Sequence, residues 1–330
     1  MKRHRKIVAS PHGAKRIRHH QTVSVSEQRE RIFQTATVDN SDHFSLKDWA
    51  LFVSIALIWG SSFLLIAFAL EDFTPGTITL ARVGLGALTL GAVRAARPSG
   101  QRIESEDWPR IVLLSFLWVG IPFTLFPLAQ EYINSAVTGL LNGAMPIFAA
   151  LVATVLFKTA PKGLQLAGIG LGFLGIIMIS VASAGGESSE AIGVLMVLGA
   201  TVCYGFAVNL AGPLQQKYGA IGTMFPVLAL ATVWVTPFGL WGLADNGFSI
   251  GSAVAVFILG AVGTGAAYWI MATLVGRVGA VRASFITYLI PVVSLVLGVV
   301  FRDDEVTVVA LIGAVLTIGG ALMASRRESR

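Results

Sequence analysis

Apolar runs, each about as long as a bilayer core is thick, follow one another along this chain with only short polar gaps, and no other feature constrains its fold so tightly. Ten such runs cover residues 49–70, 75–94, 109–130, 135–157, 164–183, 191–211, 220–243, 250–275, 280–301 and 305–325. Crossing hydrocarbon takes about 20 residues of helix. Lipid offers no partner for a free backbone amide or carbonyl, so runs of this length must be helices rather than open sheet. A water-soluble helical bundle would need charged faces, and most of these runs have none. Charged residues make up 13% of the 330, against roughly 25% in an average soluble domain. The sequence therefore predicts an all-α polytopic membrane protein with ten transmembrane helices.

The 24 Lys and Arg residues are distributed unevenly. Ten of them lie at or before Lys47. If that end is cytoplasmic, so are the gaps that hold Arg94, Arg97, Arg102 and Arg110, then Lys158 and Lys162, Lys217, Arg277 and Arg282, and the terminal Arg326, Arg327 and Arg330. Only Arg302, beside Asp303, Asp304 and Glu305, falls on the other side, and Arg82 falls inside a span. This is the positive-inside signature. It predicts an even number of crossings with both termini cytoplasmic, and it accounts for the net charge of +6 without a nucleic-acid partner.

Residues 1–48 read as a disordered basic cytoplasmic tail able to touch anionic lipid. The tail has no apolar core, so it is not a secretory signal. It holds all five histidines (His4, His12, His19, His20 and His43), spaced in no helical metal-binding pattern, so no metal is expected. No cofactor is expected either. The single cysteine, Cys203, lies in the sixth span, where it allows no disulfide within the chain.

Two stretches raise the question of internal symmetry. "LLNGAMPIFAALV" (140–152) and "FITYLIPVVSLVL" (285–297) each place a polar residue four positions before a proline, and Pro146 and Pro291 are 145 residues apart. The same offset puts Trp59-Gly60 on Tyr204-Gly205, and Leu166, Gly168, Leu171, Gly175 and Met178 on Leu311, Gly313, Leu316, Gly320 and Met323. The chain is thus a tandem repeat, 49–183 and 191–325, with five spans in each half. An odd number of crossings forces the second half to run through the membrane in the opposite direction. In secondary transporters such inverted repeats place the substrate site between the halves near the midplane.

"WGSSF" in the first span, "TP…AR" from Thr74 to Arg82, "AVTGLLNGAMPIFAALVATVLF" in the fourth span and the glycine-rich helices closing each half resemble the ten-helix EamA-type members of the drug/metabolite transporter (DMT) superfamily. The resemblance covers about 49–325 and implies a metabolite transporter without specifying its substrate. Members commonly carry an acid nine positions before the glycine that is Gly168 or Gly313 here. The second half has Asp304 there, while the first half has Thr159, so one of the two acids is missing.

Several residues are candidates for the transport path. A charge at helix centre costs about 2.5–3.5 kcal/mol even on the lenient insertion scale, so Arg82 needs a partner. Two readings stand: Arg82 meets an anionic group such as a carboxylate in a central cavity, or it fixes helix packing through backbone carbonyls or Glu131. Asn134, Thr138 and Asn142 share a helical face in the fourth span. Pro146 and Pro291 cannot donate to the carbonyls of Asn142 and Thr287, which predicts a pair of polar kinks facing water or, alternatively, kinks repaired locally. Trp59, Tyr204, Tyr268 and Tyr288 carry polar groups that need partners at depth, and Ser62 and Asn209 lie on the same helices as the first two. The glycines of the fifth and tenth spans suit close helix contact in a scaffold or homodimer surface.

The predicted function is a multi-pass plasma (inner) membrane transporter working by alternating access, an exporter of small amino-acid-like or other polar or amphipathic metabolites. Its partners would be the solute and the bilayer. It would work without ATP hydrolysis, since there is no Walker motif, and it would not be an enzyme, since the spans hold no histidine and almost no acid. The alternatives are a membrane sensor or assembly protein acting through its basic tail, which deletion of the tail would reveal, and an intramembrane lipid-modifying enzyme, which would need clustered acids or a nucleophile at one depth.

Overall fold

The computed structural model describes residues 44–96, 102–158, 160–183 and 188–325. The basic tail through His43, the C-terminal arginines, Arg97 and Thr159 lie outside the described residues. The described residues are helical, joined by short turns and loops. Ser45 opens α1 (Leu46–Ala69) with a reciprocal capping box to Asp48, which satisfies two backbone donors at the helix start. The other helices are α2 (Pro75–Ala96), α3 (Ser105–Ala129), α4 (Ser135–Phe157), α5 (Gly163–Ser183), α6 (Ser188–Trp241), α7 (Ile250–Val278), α8 (Ala280–Arg302) and α9 (Val308–Ser325). Among the described residues these nine are long and apolar enough to cross a membrane.

The sixth and seventh predicted spans follow one another as two helical limbs of α6 that meet at a kink, with no loop between them. The reversal is made at a single residue, Gly219, with φ 75° and ψ 163°. Only glycine adopts such a backbone without a steric penalty. The limb before Gly219 starts beside the end of α3, where a Cβ on Gly193 would lie 2.9 Å from Tyr132 Cβ. The limb after it runs back along α2: a Cβ on Gly91 would lie 2.9 Å from Phe225, and one on Gly76 would lie 2.5 Å from the Phe238 carbonyl oxygen. Both limbs therefore span the molecule in opposite directions. The end that holds the start of α1 and Gly219 is called here the near end, and the opposite one the far end.

The 145-residue repeat is visible in space. α1 packs on α8 as its mate, the first limb of α6, packs on α4; α2 packs on α7 as the second limb of α6 packs on α3; α5 pairs with α9. The π-helical turns Ser115–Gly120 in α3 and Ile258–Ala266 in α7 fall at mated positions. Glycines seat α5 on α9: Cβ atoms on Gly168, Gly175 and Gly320 would lie within 2.6 Å of the opposing backbone, whereas Gly170 and Gly319 face open space.

Two mated clusters tie helix ends together with opposite chemistry. At the near end Lys217 Nζ lies 2.7 Å from Glu104 and 2.8 Å from Asp107, and Tyr218 donates to Asp107 at 2.7 Å. At the far end the mate of Lys217 is Asp72, and the mates of the two acids are Ser249 and Ser252, which donate to Asp72 at 2.6 Å and 2.5 Å. Those hydroxyls hold the Asp72 carboxyl below its ordinary range. A further near-end ion pair, Asp48 to Arg277 at 2.5 Å, joins α1 to α7. Among the described residues Lys and Arg gather at the near end, with Arg82 in the interior and Arg302 at the far end, where it pairs with Glu71.

Candidate functional site

Arg82, in the middle of α2, is 5% exposed. Its Nε donates to Thr264 Oγ1 at 3.2 Å, and its guanidinium carbon sits 3.7 Å above the Phe123 ring. Among the described residues it takes part in no ion pair, with Glu131 or any other acid. The π turn of α7 presents Thr264: its hydroxyl donates to the Leu259 carbonyl five residues back, at 3.1 Å, leaving its lone pairs for Arg82. α2 can come this close because residue 86 is glycine, where a Cβ would lie 2.6 Å from Thr264 Cγ2.

Around this cation stand aromatic groups from both halves. Tyr204 and Tyr268 are its electrostatic neighbours. Trp59 meets Tyr268 edge-on at 6.1 Å, Tyr204 lies 6.0 Å from Phe126, and Phe126 meets Phe63 edge-on at 5.4 Å. Four of the predicted residues, Trp59, Arg82, Tyr204 and Tyr268, therefore converge. Phe123, Phe126, Phe63 and Thr264 belong with them and were missed. Phe123 was within reach of sequence reasoning, because the repeat offset carries Tyr268 onto it. Thr264 carried no such signal, since its mate is Val119. Pro127 leaves the carbonyl of Phe123 without its helical donor, and the hydroxyl of Thr79 reaches that oxygen at 3.0 Å, which braces this wall.

The remaining predicted residues are used differently. In α4 the helix breaks at Gly143, and Pro146 sits in the first turn of the next segment. Asn142, at the break, is 8% exposed, and its Oδ1 has no hydrogen-bond partner. The expected kink at Pro291 is not where α8 bends: helix Ile286–Arg302 runs through Pro291, and the interruption is six residues earlier, at Phe285. One missing N–H is too little to break a helix that is packed on its neighbours.

Thr287 donates to the Ser284 carbonyl, and the Tyr288 hydroxyl lies 3.3 Å from the Ala321 carbonyl, which directs it toward α9 rather than Arg82. Asn134 is the N-cap of α4, accepting from the Val137 amide at 2.9 Å and donating to the Glu305 carbonyl at 3.0 Å. Thr138 and Ser62 bond back to the carbonyls of Asn134 and Ile58. Asn209 donates to Ala149 and Gly205 carbonyls at 2.9 Å and 2.8 Å, joining α6 to α4.

An all-helical bundle of long apolar helices built as two repeats, with the buried Arg82 held among aromatic groups from both halves, has the make-up of a multi-pass membrane transporter. The model of the EamA-like transporter family matches residues 48–181 and 191–326, and the chain belongs to that family. Curated relatives agree. The chain is 26% identical over 265 residues to the uncharacterized transporter YdfC of Bacillus subtilis, covering 80% of this chain and 86% of the relative. It is 25% identical to a probable terminal-alkyne amino-acid exporter of Streptantibioticus cattleyicolor, covering 84% and 93% of the two chains. It is 24% identical to a probable amino-acid metabolite efflux pump of Escherichia coli, covering 84% and 94%. A protein of known crystal structure shares the fold with a TM-score of 0.58 at 18% identity, over 84% of this chain and 96% of its own.

Proposed function

We propose that this protein exports small amino-acid-like metabolites bearing an anionic group across the plasma membrane, by alternating access and without ATP. The observation that carries the reading is Arg82: a guanidinium buried between the two halves, with a hydroxyl and aromatic faces around it and no acid paired to it among the described residues. A carboxylate entering there would meet a charge-assisted, bidentate-capable donor, while Trp59, Tyr204 and Tyr268 would line the amphipathic remainder of the solute. In this reading the limbs of α6 are separate crossings, the spans number ten, and both termini are cytoplasmic, as the near-end cluster of Lys and Arg favours. Relatives named as amino-acid exporters support the solute class.

The test is efflux of carboxylated metabolites, measured by mass spectrometry in cells that overexpress the chain, followed by flux from proteoliposomes. Accelerated export of at least one anionic amino-acid-like solute is expected. A full panel of such solutes that neither cells nor liposomes move would refute the reading.

A further inference from the structure

We infer that the break in α4 is the second pole of the solute site: Asn142 accepts the ammonium of a solute whose anionic end Arg82 holds, which narrows the cargo to zwitterionic amino compounds. This rests on the Arg82 reading above and adds to it the group that the rest of the solute must carry.

Asn142 closes the first segment of α4, Ser135–Asn142, every residue of which is buried. Past it the chain tightens: the amides of Gly143 and Ala144 reach back only three residues, to the carbonyls of Leu140 and Leu141 at 3.0 Å. Pro146 brings no N–H to the Asn142 carbonyl. The segment thus ends inside the bundle with the negative end of its dipole. Its positive end is already matched by Asp304, which accepts from the Ser135 hydroxyl at 2.6 Å and the Ala136 amide at 2.8 Å. At the negative end Asn142 is 8% exposed, and its Oδ1 accepts from no described group. A buried acceptor left unmet costs about 1–3 kcal/mol. The other side chains with unmet buried atoms among the described residues, Gln130, Ser183 and Glu190, lie at helix ends, whereas Asn142 lies inside a span.

The break borders the rings around Arg82. Gly139, one turn before Asn142 on the same side, lies against Phe63: a Cβ there would be 3.2 Å from Phe63 Cδ2. Phe63 meets Phe126, which lies beside Tyr204 and one turn of α3 beyond the Phe123 ring under Arg82. On the other flank Gly205, next to Tyr204, seats on the α4 backbone just past the break, where its Cβ would lie 2.9 Å from the Phe148 carbonyl carbon. Rings therefore lead from the guanidinium to the amide. An ammonium is repelled at the Arg82 end, and the acids within the described spans, Asp48, Glu106, Asp107 and Glu190, all stand in first turns. A neutral acceptor at a helix C-terminus, flanked by aromatic faces, suits that cation. The mated position offers no such point, because Thr287 spends its hydroxyl on the Ser284 carbonyl.

The experiment measures equilibrium binding by calorimetry to the full chain in lipid nanodiscs, with two probe pairs: phenylalanine with hydrocinnamate, and leucine with isocaproate. The members of each pair share a carboxylate and an apolar body and differ in the ammonium. The amino member should bind more tightly in at least one pair. Asn142→Leu should weaken that member about tenfold, the change expected from losing one hydrogen bond to a charged donor, and leave the acid-only member unchanged. Asn142→Asp, of nearly the same shape, should tighten the amino member and weaken the acid-only one, an opposition that misfolding cannot produce. Equal changes for both members, or tighter binding of the acid-only members to the unaltered protein, would overturn the assignment. Titrations with sodium replaced by choline distinguish an alkali ion: if Asn142→Leu removes a sodium requirement and leaves the amino preference, the break holds that ion and the assignment fails. Arg82→Gln should weaken both members alike; if it weakens neither while the Asn142 effects persist, the Arg82 reading fails and Asn142 keeps its role. If no amino member binds, the assignment fails, and an exported carboxylate without an ammonium would leave the export reading standing.

Discussion

Replacing Arg82 by glutamine separates a transport role from a packing role, because the two predict different balances of stability and flux. Removing one partner of a buried ion pair costs about 3–5 kcal/mol, because it strands the other charge; Arg82 is in no ion pair among the described residues, so nothing is stranded. The variant loses the bond to Thr264, about 1.5–3 kcal/mol for a charged donor, and the stacking on Phe123, about 2 kcal/mol when desolvated. It gains relief from holding a charge at mid-helix, about 2.5–3.5 kcal/mol. These terms cancel to within about 2 kcal/mol, so the melting temperature of the purified protein should move by a few degrees at most. Flux should respond far more. Losing a desolvated charge contact to a carboxylate costs about 2–5 kcal/mol, which raises the apparent KM for an anionic solute about thirtyfold or more. Thermal melting in detergent and concentration-dependent proteoliposome flux, read on the same preparation, check both halves. A sharp fall in melting temperature with an unchanged KM in the folded fraction would make Arg82 a packing residue and refute the reasoning.

The other predictions concern single contacts. Gly175→Ala places a methyl group 2.4 Å from the Gly313 carbonyl oxygen and should destabilise the α5–α9 pair by about 1–3 kcal/mol, while Gly170→Ala, which meets nothing within 4 Å, should leave melting unchanged or raise it slightly. Equal melting temperatures for the two would contradict the packing described. Asn142→Leu removes an unpartnered buried oxygen whose desolvation costs about 1–3 kcal/mol, so melting should hold or rise while transport falls; intact transport would show that Asn142 is only part of the break. Asp72 has a depressed folded pKa, so its contribution is present above its ordinary value of 3.8 and is lost as pH falls below it. Asp72→Asn should flatten the acid limb of melting temperature against pH, and superimposable limbs for the two proteins would show that the serine contacts are inert.

The membrane class, the helical state of every long run and the twofold repeat were legible without coordinates. They depend on run length, on the intolerance of lipid for open backbone and on one constant offset, all of which are local or linear properties. The convergence of Trp59, Tyr204 and Tyr268 on Arg82 was partly legible, because repeat symmetry brings mates to one axis. The fates of Tyr288, Thr287, Asn134 and Asn209 were not. A polar residue in an apolar run signals only that it must find a partner, and whether that partner is a neighbouring carbonyl or a solute depends on which way its helix is turned.

By itself the sequence determined that this chain is a polytopic helical membrane protein built as two tandem repeats, because hydrophobic length and periodic identity are written in residue order. Only the tertiary structure decided that Gly219 makes the turn inside α6, that a π turn in α7 presents Thr264 to Arg82, and that the Asp304 carboxylate accepts from the start of α4. Each of these depends on which groups are brought within hydrogen-bond reach across more than a hundred residues of chain, and helix rotation and close glycine contacts set that distance.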